Sequence, residues 1–144
     1  MVKTVRDVLR SKGGQTFSVD ADATVFTALE MMAKENVGAL LVMNGGRLIG
    51  MISERDYARK VILKGLSSPQ TKVREIMTDT IFYARPEQTV EECMAVVTEK
   101  RCRHLPVLDD DKLVGLVSIG DLVKASIAEK EFIIEQLENY IKAC

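Results

Sequence analysis

A repeat lies hidden inside the 144 residues of this chain. Thr24-Val25 recurs as Thr89-Val90, and Val42 recurs as Val107. Gly50-Met51-Ile52-Ser53-Glu54-Arg55-Asp56 recurs as Gly115-Leu116-Val117-Ser118-Ile119-Gly120-Asp121, at the same offset of 65 residues. Upstream, Val5-Arg6-Asp7-Val8-Leu9 matches Val73-Arg74-Glu75-Ile76-Met77 at an offset of 68, so the first copy carries three extra residues, placed within Ser11-Lys12-Gly13-Gly14. A length that suits one ordinary domain therefore holds two small units of about 60 residues, each marginal alone.

Both copies read in one order. Phe17-Ser18-Val19, and Ile81-Phe82-Tyr83 in the second copy, are short, β-prone and bounded by turn residues, which predicts a strand. Val25, Ala28, Leu29 and Met32 then recur at helical spacing, matched by Val90, Cys93, Met94 and Val97. Thr24 and Thr89 stand at the N-cap, and Glu92 completes a capping box. Ala39–Met43 and Leu48–Ile52 predict two strands joined through Asn44-Gly45, since Asn-Gly readily takes the positive φ of a hairpin turn. The second hairpin is Leu105–Leu108, Asp109-Asp110-Asp111, then Leu113–Val117. A second helix follows each hairpin, over about residues 54–63 and from about Gly120 onward. The fold class is α+β, a tandem β-α-β-β-α repeat. The predicted boundaries are 3–64 and 72–127, with a polar linker over 65–71 and an amphipathic helical tail over 128–144.

Composition removes several function classes. A net charge of −1 gives no global basic field, so nucleic-acid binding would need a local patch such as Lys100, Arg101 and Arg103. Cys93, Cys102 and Cys144 include no Cys-x-x-Cys pair, and His104 is the single histidine, which argues against a disulfide framework or a metal site. Cys102 and His104 are expected to alternate along a strand and so share a face, which invites a Cys-His nucleophile, but no third orienting residue is specified and catalysis is not expected. No apolar run approaches the roughly 20 residues of a membrane helix, and the first residues lack the apolar core of a signal peptide. A cytoplasmic location is the expectation.

The element Gly-apolar-apolar-Ser-x-x-Asp supports two readings. Ser53 and Ser118 end a strand and begin a helix, with Asp56 and Asp121 at the third helical position, so each pair can form a capping box with no ligand involved. The same geometry can hold phosphate on N–H groups and a hydroxyl while a carboxylate accepts the two hydroxyls of a ribose.

Two such units in register, each ending in Gly-apolar-apolar-Ser-x-x-Asp, resemble a tandem pair of CBS domains, the regulatory modules named after cystathionine β-synthase. Asn36–Val42 and Arg101–Val107 resemble that family's second-strand pattern. The resemblance covers residues 3 to 127 and implies two units packed with pseudo-twofold symmetry, with two clefts for an adenosine-containing ligand: AMP, ADP, ATP, S-adenosylmethionine or NAD. It also implies a homodimer and a downstream protein partner. By resemblance, one cleft combines Ser118 and Asp121 with Thr16, Phe17, Ser18, Val37, Gly38 and Ala39. The other combines Ser53, Arg55 and Asp56 with Phe82, Tyr83, Cys102 and Arg103. Arg103 and His104 match positions that contact phosphate in some relatives, which suits a polyphosphate or the pyrophosphate of NAD. The leading expectation is a non-catalytic sensor. The alternatives are an adaptor with vestigial clefts, a nucleic-acid-binding module, and a redox switch through Cys102 or Cys144.

Overall fold

A computed structural model of the chain describes residues 2–143. The chain forms two compact units, and they do not follow the order of the repeats: one is Thr16–Ile81, and the other joins the chain up to Gln15 to the chain from Phe82 onward.

In the contiguous unit, β1 (Ser18–Asp20) runs parallel to β2 (Ala39–Asn44), which pairs antiparallel with β3 (Arg47–Ser53). The helix α2 (Val25–Glu35) lies between β1 and β2 in the chain, starting where the Thr24 hydroxyl accepts the Thr27 N–H and ending at Asn36 in the left-handed conformation. Asn44 pairs with Arg47, so the turn residues are Gly45 and Gly46, at φ 58° and 83°. The expected Asn44-Gly45 turn is thus displaced by one residue, because a two-residue hairpin turn of this kind needs positive φ at both central positions and Gly-Gly meets that at least cost. Val19, Val25, Ala28, Met32, Leu40, Val42 and Ile52 form the core, which α4 (Val73–Ile76) completes with Val73 and Ile76.

In the other unit, α5 (Val90–Lys100) and the hairpin of β4 (His104–Asp109) and β5 (Lys112–Ser118) repeat that plan. The Thr89–Glu92 capping box forms as expected. The expected strand at Ile81-Phe82-Tyr83 does not form; the pairing shrinks to a single bridge between Ala84 and Val107. Two prolines account for this. In the contiguous unit the Leu41 N–H donates to Phe17 O and the Ala21 N–H to Met43 O, both at 3.0 Å. Their repeat equivalents, Pro106 and Pro86, have no N–H to give, so only the bonds around Ala84 survive.

The sequence matches at offset 68 are a structural element that the β-α-β-β-α pattern omitted. They are the helices α1 (Val5–Lys12) and α4, each preceding its repeat. Each is built into the unit holding the other repeat's hairpin: Val5 and Val8 join the core of Val90, Cys93, Leu105, Val107, Val117 and Leu122. The backbone bonds correspond, with the Val90 N–H on Lys3 O in one unit and the Val25 N–H on Thr71 O in the other. After β3, the helix α3 (Glu54–Tyr57) passes into a π-turn, Ala58–Ile62. After β5, α6 runs unbroken from Ile119 to Ala143, so the tail continues the last helix. Among the described residues, no helix is long and apolar enough to cross a membrane.

Candidate ligand-binding site

Both Ser-x-x-Asp elements fold as capping boxes. Asp56 Oδ2 accepts the Ser53 N–H at 3.0 Å and its hydroxyl at 3.1 Å, while Ser53 Oγ accepts the Asp56 N–H at 3.1 Å. Asp121 Oδ2 accepts the Ser118 N–H at 2.9 Å, and Ser118 Oγ accepts the Asp121 N–H at 3.1 Å. The first helical N–H is also used: Glu54 donates to Gly38 O and Ile119 to Arg103 O. In the accounting of a helix start, the donors left over are the N–H groups of Arg55 and Gly120. The Asp56 and Asp121 side chains are 14% and 25% exposed, so part of each carboxylate is open to solvent.

A lysine rests on each carboxylate. Lys60 Nζ stands 3.2 Å from Asp56 Oδ1 and donates to Ile76 O at 3.0 Å, and Thr78 adds a longer hydroxyl contact of 3.4 Å. Lys12 Nζ stands 2.6 Å from Asp121 Oδ2 and donates to Leu116 O at 2.9 Å. Burial raises the Asp121 carboxyl, but the Lys12 ammonium and the Ser118 donors outweigh it and hold the pKa below the usual value. Lys60 was legible as an i, i+4 partner of Asp56. Lys12 was not, since it lies in the segment where the two repeats differ in length.

The strand residues that the resemblance grouped with Asp121, Thr16 to Ser18 and Val37 to Ala39, lie in the same unit as Asp56. Ala39 pairs with Ser53, and Phe17 O accepts the Leu41 N–H. Val37 and Gly38 line a hollow with Met32, Glu54 and Tyr57, whereas Thr16, Phe17 and Ser18 line a separate one with Thr27, Met31 and Lys34. Arg55 is exposed.

The residues that the resemblance grouped with Asp56, namely Phe82, Tyr83, Cys102 and Arg103, lie in the same unit as Asp121. His104 pairs with Ser118 across the hairpin, and burial together with Lys12 and Arg103 pushes its pKa down, against the opposing pull of Asp121. Arg103 and Tyr83 are exposed, while half-buried Phe82 packs on the core beneath the Lys100 ammonium, 5.3 Å from its ring centre. Lys100 is thus tied to an aromatic face within the stretch considered as a nucleic-acid patch. Cys102 precedes β4, which begins at His104, so the strand alternation expected for the pair does not hold. Cys102 packs against the core, and burial raises its thiol pKa, the wrong direction for a thiolate nucleophile. Cys144 lies outside the described residues. Among the described residues, no group of three His, Cys, Asp or Glu side chains is placed to hold a metal ion.

The CBS-domain family model matches twice, over residues 4–63 and 73–128, in step with the two capping boxes. The chain belongs to the CBS-domain family. It is 41% identical over 148 residues to the mitochondrial CBS domain-containing protein CBSX3 of Arabidopsis thaliana, a match covering 96% of this chain and 72% of that protein. It resembles the crystal structure of the CBS domain protein NE2398 with a TM-score of 0.83 and 48% identity, over 88% of this chain and 99% of the other. At 21% identity it shares the fold of the CBS domain pair of MJ0100, with a TM-score of 0.78 over 90% of this chain and 99% of that one; that pair was solved in complex with 5′-methylthioadenosine and S-adenosyl-L-methionine. The CBS pair therefore accounts for the repeat, the duplicated capping box and the leading helices together.

Proposed function

We propose that this CBS-domain pair is a non-catalytic regulatory module that binds an adenosine-containing ligand, AMP, ADP, ATP or NAD, and passes its ligand state to a partner protein as a homodimer. The observation that carries the reading is the duplicated carboxylate: Asp56 and Asp121 are each fixed by a Ser N–H, partly exposed, and charge-balanced by a lysine. A carboxylate so held accepts both hydroxyls of a ribose without reorganising its own helix start. The strand-end residues Thr16, Phe17, Ser18, Val37, Gly38 and Ala39 in one unit, and Phe82, Tyr83 and Cys102 in the other, are the candidates for base contact. Phosphate falls to Arg55, Arg103 and His104, beside the open N–H groups of the first helical turns. The adenosine-type ligands of the MJ0100 pair support this choice of chemistry.

A nucleotide shifts a two-state equilibrium only through its different affinities for the two states, so the partner must contact a surface that changes with occupancy. The test is a thermal-shift panel on nucleotide-stripped protein. A ligand at about 100 times its Kd adds roughly 2.7 kcal/mol, several degrees for a chain of this size. Asp56→Ala and Asp121→Ala each lose a cap and start from a lower Tm, so the informative quantity is the ligand-induced increment. The proposal requires that increment to shrink in at least one of the two; equal increments in parent and both variants would remove the ribose assignment.

A further inference from the structure

The two capping boxes are alike, but the donors around their carboxylates are not. An ionised carboxylate has about four lone-pair positions to offer. Asp56 uses both oxygens within the chain: Oδ2 accepts the Ser53 N–H and hydroxyl, and Oδ1 is met by Lys60 Nζ at 3.2 Å and the Thr78 hydroxyl at 3.4 Å. Asp121 gathers the Ser118 N–H and Lys12 Nζ on one oxygen, Oδ2, at 2.9 and 2.6 Å. Its Oδ1 accepts no hydrogen bond among the described residues. The greater exposure of the Asp121 side chain runs the same way.

The leading helices cause the difference. α4 stops at Ile76, which frees Ile76 O for Lys60 and lets Thr78 pair with Met51 in both directions, at 2.8 and 2.9 Å, so Thr78 is held beside Asp56. α1 runs on to Lys12, and the repeat counterparts of Ile76 and Thr78, which are Val8 and Arg10, lie inside it. Lys60 has no basic counterpart either: its repeat position is Ala125, packed against the core within the unbroken α6. Lys60 sits in the π-turn, where the Leu63 N–H reaches back to Ala58 O at 3.1 Å, an irregularity found often at functional sites. Given the ribose-accepting role proposed above, we infer that the two carboxylates are ranked: Asp121 takes the hydroxyls first, on its open Oδ1, and Lys60 with Thr78 withholds Asp56 until a ligand displaces them. Lys60 and Thr78 thereby set the affinity of the second site without belonging to either Ser-x-x-Asp element.

The test is a two-dimensional NMR titration of the isotope-labelled full chain with adenosine at millimolar concentration, with AMP in parallel. The Ser118 and Asp121 amides report one carboxylate, and the Ser53 and Asp56 amides the other. Adenosine carries the two hydroxyls without a phosphate, so a gain on removing the Lys60 charge is not masked by a lost phosphate contact. The Ser118 and Asp121 signals should saturate at about tenfold lower concentration than the Ser53 and Asp56 signals. Lys60→Met should tighten the weaker site about fivefold, and Thr78→Val should move it the same way by less. Dideoxyadenosine, which lacks both hydroxyls, should show no such gain in Lys60→Met. Equal saturation of the two pairs of signals, earlier saturation of the Ser53 and Asp56 pair, or an unchanged titration in both variants overturns the ranking and leaves the adenosine site standing. A response to AMP with none to adenosine overturns it as well, since an open Oδ1 takes the hydroxyls without help from phosphate. If neither ligand moves either pair, the adenosine site itself falls and the ranking falls with it.

Discussion

Replacing Gly115 by alanine tests the exchange of leading helices at its tightest point. A Cβ at Gly115 on β5 would stand 2.6 Å from Leu9 Cδ2, 2.9 Å from Cδ1 and 3.3 Å from Cγ, so the whole Leu9 branch blocks it. Either α1 recedes from the hairpin or Leu9 leaves its rotamer, and overpacking of this kind costs about 1–3 kcal/mol. At about 2–4 °C per kcal/mol for a chain near this length, Tm should fall by roughly 2–12 °C in calorimetry. Leu9→Ala removes the obstacle, so the double variant should be little worse than Leu9→Ala alone, a coupling of about 1 kcal/mol or more. Gly50 is the internal control. A Cβ there meets the Thr78 carbonyl oxygen at 2.9 Å as well as Met77 Sδ at 2.7 Å, and trimming Met77 cannot move a backbone atom. Gly50→Ala should therefore be costly and unrescued by Met77→Ala. A Gly115→Ala protein with the parent's Tm, or a strictly additive double variant, would refute the close packing of α1 on β5.

Three further outcomes follow from the local chemistry. Asp110 and Asp111 hold the second hairpin turn at φ 49° and 66°, where the first hairpin uses glycine, so Asp111→Gly should stabilise by about 0.5–1 kcal/mol in urea unfolding. The folded-state pKa of His104 lies below its usual 6.5, with burial the first cause, so the unfolded chain takes up this proton before the folded one does. Stability should then fall as pH drops from 7 towards 5, and His104→Gln should flatten that slope in denaturant titrations. Burial pushes the Cys93 thiol up to about 11, so a thiol reagent at pH 8 should leave Cys93 unmodified in the native protein and label it after unfolding, as read by peptide mass mapping.

The legible parts of this fold were those written in local chemistry. Thr24 and Thr89 cap the helices expected of them, the two Ser-x-x-Asp boxes close as drawn, and the paired hairpins follow the 65-residue offset. Three features escaped for separate reasons. The Ile81–Tyr83 strand was read from propensity, and its loss depends on Pro106 and Pro86, whose missing N–H groups matter only once the pairing register is known. The exchange of α1 and α4 between units is non-local and has no periodic signature, although Thr4 and Asp7 already spell a capping box ahead of α1. Lys12 reaches Asp121 across 109 positions of sequence from the segment in which the repeats differ, so the symmetry that located Ser118 and Asp121 could not locate it.

The proposed role of the two carboxylates, Asp56 and Asp121, is to read an adenosine ligand. Isothermal titration of nucleotide-stripped protein with AMP, ATP and NAD, repeated on the Asp56→Ala, Asp121→Ala double variant, tests it most directly. The parent should bind at least one of these ligands saturably, and the double variant should lose affinity tenfold or more, which corresponds to about 1.4 kcal/mol. Absence of binding by the folded parent, or equal affinity in parent and double variant, would contradict it.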